Sequence, residues 1–144
     1  MSLENLDSNQ FALVISQAAA PAFMLGAVSS FLTVLFSQIN LVIGKMSAIS
    51  ALPDDGARSA HLKSAAPRLK TRLSRMGWAI FCAIGSGVAT CFVILAAFAG
   101  ASFGIRHEIG AAILFATSLV FFTVALVIFG FEIKVAMSDV AELN

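Results

Sequence analysis

The chain has 144 residues, 59 % of them hydrophobic and 12 % charged, with a formal net charge of +1; its mean hydropathy is +0.94. A soluble domain carries about 45–50 % apolar and about 25 % charged residues, and a globule this small has too much surface for its volume to hide the excess. The composition excludes a soluble domain and points to an integral membrane protein, and the near-zero charge leaves nothing global to recruit nucleic acid.

Residues 1–8 are polar, with Asp7 and Ser8 as candidate helix caps. Glu4 and Asp7 put the wrong sign of charge in front of the first apolar stretch for a cleaved signal peptide, despite the small residues around Pro21, so no cleavage is expected. Phe11, Val14, Ile15 and Ala18 recur at helical spacing over a stretch too short to span a bilayer. The spacing predicts a short interfacial helix, a bend at Pro21, and a first span over about residues 22–46.

That span carries two opposed seams. Stepping by threes and fours gives Ser16, Ala19, Phe23, Gly26, Ser30, Thr33, Ser37, Asn40, Gly44 and Ser47, all small or polar except Phe23. The other seam, Leu25, Val28, Leu32, Leu35, Ile39, Val42 and Met46, is large and apolar throughout. The apolar back is expected to meet lipid or apolar partners. The front is expected to meet a close helix neighbour, a symmetry axis or water. Gly26–Ser30, Thr33–Ser37 and Asn40–Gly44 are small-xxx-small pairs, the chemistry of close helix packing in lipid. Asn40 and three hydroxyls in register are more polar than packing requires, which admits a second reading, a narrow pore with Phe23 as a hydrophobic constriction. Leu32 and Ile39 turned inward, with Thr33 and Asn40 turned outward to acyl chains, would count against both.

Pro53, Asp54, Asp55 and Gly56 make a strong turn signal, and residues 53–66 read as loop. Pro67 opens a short basic helix with Arg68, Arg72 and Arg75 on one face and Leu69, Leu73 and Met76 on another, an amphipathic ramp whose cations reach lipid headgroups. Anchoring of topology is its ordinary role and specific lipid binding the rarer one. Seven of the nine cations, Lys45 among them, lie between the first two spans, over a basic loop of about residues 47–76 and its edge. That bias predicts a cytoplasmic loop, with the N-terminus outside and the C-terminus inside.

The second span is predicted over about residues 77–100. Trp78 is placed as an interface anchor, and Ala79, Ala83, Ser86, Thr90 and Ala97 form a small-residue face. Cys82 and Cys91 are nine positions apart, about 13 Å along a helix, too far to pair within it. A short connection carries Arg106, His107 and Glu108, with Glu108 placed to complement the dipole of the next helix. His107 there offers pH sensitivity at an outer mouth, or simply a solvated loop. The third span, about residues 109–131, is rich in phenylalanine, and Glu132 and Lys134 mark its exit.

The expected architecture is all-α: one membrane domain over residues 1–144, a bundle of three transmembrane helices with short amphipathic interfacial segments. No enzyme signature is present: His61 and His107 are predicted on opposite sides of the membrane, and no serine has a histidine within reach. No metal or cofactor is implied. Glu132 reads either as an interfacial carboxylate paired with Lys45, Lys134 or the basic ramp, or as an inner pore mouth that gathers cations, with Lys45 beside it.

Ala20-Pro21-Ala22-Phe23-Met24-Leu25, Arg68-Leu69-Lys70-Thr71-Arg72-Leu73 and Glu132-Ile133-Lys134-Val135-Ala136 together resemble a bacterial family of small three-span membrane proteins catalogued as domain of unknown function 2721, over about residues 12–140. The resemblance implies a protein of the bacterial inner membrane with no established activity. Many members carry arginines towards the end of the first span, where this chain reads Ser37-Gln38-Ile39-Asn40 and Gly44-Lys45, so no role resting on those arginines is carried over to it. The function expected on all these grounds is a non-enzymatic, homo-oligomeric ion pore lined by the front seam. The alternative is an accessory subunit that packs on other membrane proteins through that seam.

Overall fold

The structure, a computed structural model, describes residues 3–51, 64, 66–103 and 108–141. Three helices account for nearly all of them: α1 (Leu3–Ser50), α2 (Ala66–Phe103) and α3 (Glu108–Ala141). Segments Ala18–Ser50, Ala66–Gly100 and Ile109–Met137 are each long and apolar enough to cross a membrane. The Asp54-Asp55 turn, His61, Arg106 and His107 lie outside the described residues.

The helices are longer than the apolar pattern alone predicts. α1 has 48 residues and runs through Pro21, so no separate interfacial helix precedes the span. At about 1.5 Å per residue it is about 70 Å long, more than twice the ~30 Å of hydrocarbon. A proline removes one backbone hydrogen bond, and a membrane helix tolerates that loss where neighbouring helices or side chains surround it. Pro21 is buried. The basic ramp is likewise the first turns of α2 rather than a helix of its own. α3 carries Glu132 and Lys134 in its interior and continues to Ala141. Charged residues at a membrane boundary do not end a helix, because its backbone bonds remain internal.

Neighbouring helices run antiparallel. Val28 of α1 lies against Gly87 of α2, whose added Cβ would stand 3.5 Å from Val28 Cγ1. Gly85 of α2 faces Phe121 of α3. α1 and α3 are therefore parallel, and Phe31 joins them through edge-on contacts with Phe122 and Phe129, centroids 5.7 and 5.5 Å apart.

The inward stripe of α1 is Pro21, Met24, Val28, Phe31, Leu35 and Val42, all buried and spaced by threes, fours and a final seven. It meets the small-residue face of α2, where Ala79, Ala83, Ser86 and Thr90 are fully buried. Bulky side chains fill the trough that small ones leave, which is how van der Waals packing is completed where lipid removes most of the hydrophobic drive. Phe31, Leu35, Ala79, Ala83 and Ala125 form the centre of the contact.

This contact makes a prediction. Gly87→Ala is expected to leave thermal stability in detergent within about 1 kcal/mol, since its Cβ would sit at ordinary contact distance. Gly87→Leu is expected to force α1 off α2 at a cost of about 1–3 kcal/mol. Equal midpoints for both variants would show that the contact is looser than described.

Candidate functional site

The apolar back of α1 turns inward to apolar partners of its own chain, and the front seam turns outward. Leu32 and Ile39 are inward and Thr33 and Asn40 outward, the arrangement that overturns the reading of the seam if acyl chains, and not further helices or water, cover it. Val28, Leu35 and Val42 are buried, and Leu32 and Ile39 are partly buried. Gly26, Ser30, Thr33, Ser37, Asn40 and Gly44 are all exposed, and Phe23 is 82 % exposed. Among the described residues, nothing beyond the surrounding turns of α1 lies within 4 Å of a Cβ built at Gly26 or Gly44. The small-xxx-small pairs thus face away from the described parts of α2 and α3. The physical reason is competition for α2: its alanine face accepts bulk, and the bulky side of α1 supplies it.

Not all the polarity of the seam is unsatisfied. Ser30 Oγ donates to the Gly26 carbonyl at 3.0 Å, and Thr33 Oγ1 to the Ser29 carbonyl at 3.1 Å. These bonds back to the preceding turn let a hydroxyl sit beside lipid at little cost. Among the described residues, Ser37 and Asn40 make no such side-chain bond. The register set by Val28 against Gly87, carried along antiparallel helices of equal rise, brings Asn40 level with Arg75 and Lys45 level with Lys70.

At that level lies the one charged residue that is buried among the described residues. Glu132 is 1 % exposed, between Arg72 Nε at 3.5 Å and Arg75 Nε at 3.0 Å. The Arg72 side chain is 25 % exposed and that of Arg75 50 %. Of the partners considered for Glu132, the ramp is the one it takes; Lys45 and Lys134 are exposed. This bears on the pore-mouth reading of Glu132. A carboxylate that gathers cations must present free charge to water, whereas this one is enclosed by guanidiniums. It equally revises the ramp, since Arg72 and Arg75 turn to a carboxylate while Arg68 stays exposed. Trp78, exposed and edge-on to Phe81 at 5.9 Å, follows directly where the apolar run begins, the position of an interface anchor.

One buried polar group escaped the sequence reading. Ser118 of α3 is fully buried with Ser86 and Thr90 of α2. Ser118 Oγ stands 3.2 Å from Ser86 Oγ, 2.5 Å from Thr90 Oγ1, 2.9 Å from the Ser86 carbonyl and 3.7 Å from Met24 Sδ. Thr90 Oγ1 donates to the Ser86 carbonyl at 2.9 Å. One closed assignment uses every proton once: Ser86 donates to Ser118, Ser118 to Thr90, and Thr90 to the carbonyl. Ser118 differs from Thr117 and Thr123 only in facing inward, since those two bond their own helix at Ile113 and Leu119. An apolar run such as α3 has no polar face from which that direction could be read.

Three long apolar helices side by side, with a charged cluster beyond the start of the apolar run, define a multi-pass helical membrane protein. Within that class, the profile for Protein of unknown function (DUF2721) matches residues 18–141, and the chain belongs to this uncharacterised family. No curated protein and no solved structure matches it.

Proposed function

We propose that this is a non-enzymatic membrane protein that self-associates through the free seam of α1, the first helices of several copies surrounding a narrow path for small ions. The observation that carries the reading is the contrast between two free faces. On α3 the exposed large residues, Ile113, Val120, Val127 and Phe131 among them, suit lipid, and the small or polar residues exposed between them, such as Ala116, Thr117 and Thr123, form no unbroken stripe along the span. On α1 the exposed seam from Gly26 to Gly44 is small and polar, and Ser37 and Asn40 make no side-chain hydrogen bond among the described residues. Left against acyl chains, those groups carry a desolvation cost that a second helix or a file of water removes. Ser30, Thr33, Ser37 and Asn40 line the path, and Phe23, standing free towards its far end, constricts it. The N-terminus lies outside and the C-terminus in the cytoplasm, on the cation bias between α1 and α2.

The openness of Gly26 and Gly44 to close approach favours one other occupant, a helix of a different membrane protein, which would make this chain an accessory subunit. One experiment separates the two. The chain purified in a native-like detergent is expected as a solitary symmetric oligomer that passes ions in liposomes. Replacing Thr33, Ser37 and Asn40 by leucine is expected to abolish that flux while the oligomer persists. Absence of flux in the parent protein removes the pore. Recovery of a second protein in fixed ratio establishes the accessory role.

A further inference from the structure

The start of α2 and the far end of α3 enclose a cavity of about 370 Å³ lined by Arg68, Arg72, Arg75, Glu132, Leu69 and Val135 among others. We propose that it binds a phosphoryl anion, a phosphate mono- or diester, and does so whether or not the α1 seam forms a pore.

Charge is the first ground. Three guanidiniums and one carboxylate line it among the described residues, an excess of two positive charges, which a phosphoryl group of one to two negative charges matches. Geometry is the second. Glu132 approaches both arginines closest at Nε, at 3.5 and 3.0 Å. A guanidinium carries five N–H donors in a fixed fork, so the two terminal nitrogens of each arginine remain for another acceptor. Glu132 therefore orients the pair without consuming it. Arg72 Nε and both Glu132 carboxylate oxygens are out of solvent without a hydrogen bond, so Glu132 holds the arginines by charge and not by hydrogen bonds. Two parallel N–H groups on two oxygens is the arrangement by which arginine grips phosphate.

Two further features point the same way. α2 has no acidic residue in its first turn, so Arg68 stands at the positive end of a helix dipole, the wrong end for a cation unless an anion joins it. The cavity also lies just before Trp78 and the apolar run, where a headgroup region is expected to begin. Basic pockets between helices at that depth bind anionic headgroups, and Leu69 and Val135 offer apolar wall to a glycerol backbone. The shared chemistry is the phosphoryl group, borne by a lipid or by a soluble ester.

The test uses the full chain in zwitterionic micelles, where no collective surface potential acts, titrated with phosphatidylglycerol, phosphatidylcholine or inorganic phosphate and read by native mass spectrometry. Phosphatidylglycerol is expected to bind saturably and phosphatidylcholine at least tenfold more weakly. Arg68→Gln is expected to weaken phosphatidylglycerol about fivefold or more, one surface cation being worth about 1 kcal/mol. Lys70→Gln, which removes an equal charge from the same turn outside the cavity, is expected to change it less than twofold. The Arg72→Gln/Glu132→Gln double variant keeps the charge balance and is expected to weaken binding as Arg68→Gln does. Inorganic phosphate that displaces the lipid with the same dependence on Arg68 supports the phosphoryl site with a soluble ligand as its source. Equal losses from Lys70→Gln and Arg68→Gln, or equal binding of the two lipids, overturn the proposal.

Discussion

Removing Arg72 and Arg75 together, as alanines, is expected to destabilise the bundle by about 3–5 kcal/mol, the cost of leaving a buried charge without its partner. Glu132→Gln is expected to cost less, because it leaves no buried charge without a partner. The asymmetry follows from depth. Glu132 is enclosed, at 1 % exposure, while Arg75 is half exposed. A freed arginine can extend along its stem to water or headgroups, but a freed Glu132 has nowhere to go. Adding Glu132→Ala to the double arginine variant is expected to restore more than half of the lost stability, because the uncompensated charge then disappears with its partners. Unfolding in mixed detergent micelles, followed by circular dichroism, measures all three. Costs that simply add across the three positions would show that the residues are neighbours without being coupled.

The second large effect is expected at Ser118. Ser118→Ala removes one hydroxyl from the ring, and Thr90 still donates to the Ser86 carbonyl at 2.9 Å. Its cost is expected near 0.6 kcal/mol, the average for a hydrogen bond between membrane helices. Ser118→Leu adds bulk where Ser86, Thr90 and Met24 leave none, and is expected to cost about 2–4 kcal/mol from overpacking together with the lost bonds. Leucine is the better residue for an isolated span, so hydropathy alone orders these variants the opposite way. Stability that follows hydropathy would mean that the α2–α3 contact at Ser118 is not close.

Much of the fold was legible because lipid imposes strong constraints on sequence. Three apolar runs of spanning length, separated by a basic stretch and a short polar one, leave little choice but three helices. The small-residue face of α2 was also readable, since alanines, Ser86 and Thr90 at helical spacing have one common use. Helix ends were less so. Pro21 looked like a boundary, and Glu132 like an exit, because both are judged by local preference. In the bundle Pro21 is buried in the inward stripe and Glu132 is held by arginines from α2.

The sequence by itself determined that the chain lives in a membrane, that it crosses as helices, and that α1 has one bulky and one small polar side. Those are properties of single segments, settled by the periodicity and transfer cost of the residues in them. Only the tertiary structure decided which side of α1 turns inward, that Glu132 belongs to Arg72 and Arg75, and that Ser118 rather than Thr117 closes a ring with α2. Each of these is a choice between partners distant in sequence. Such choices rest on how shapes and charges on two helices fit at one depth, and no single segment contains that information.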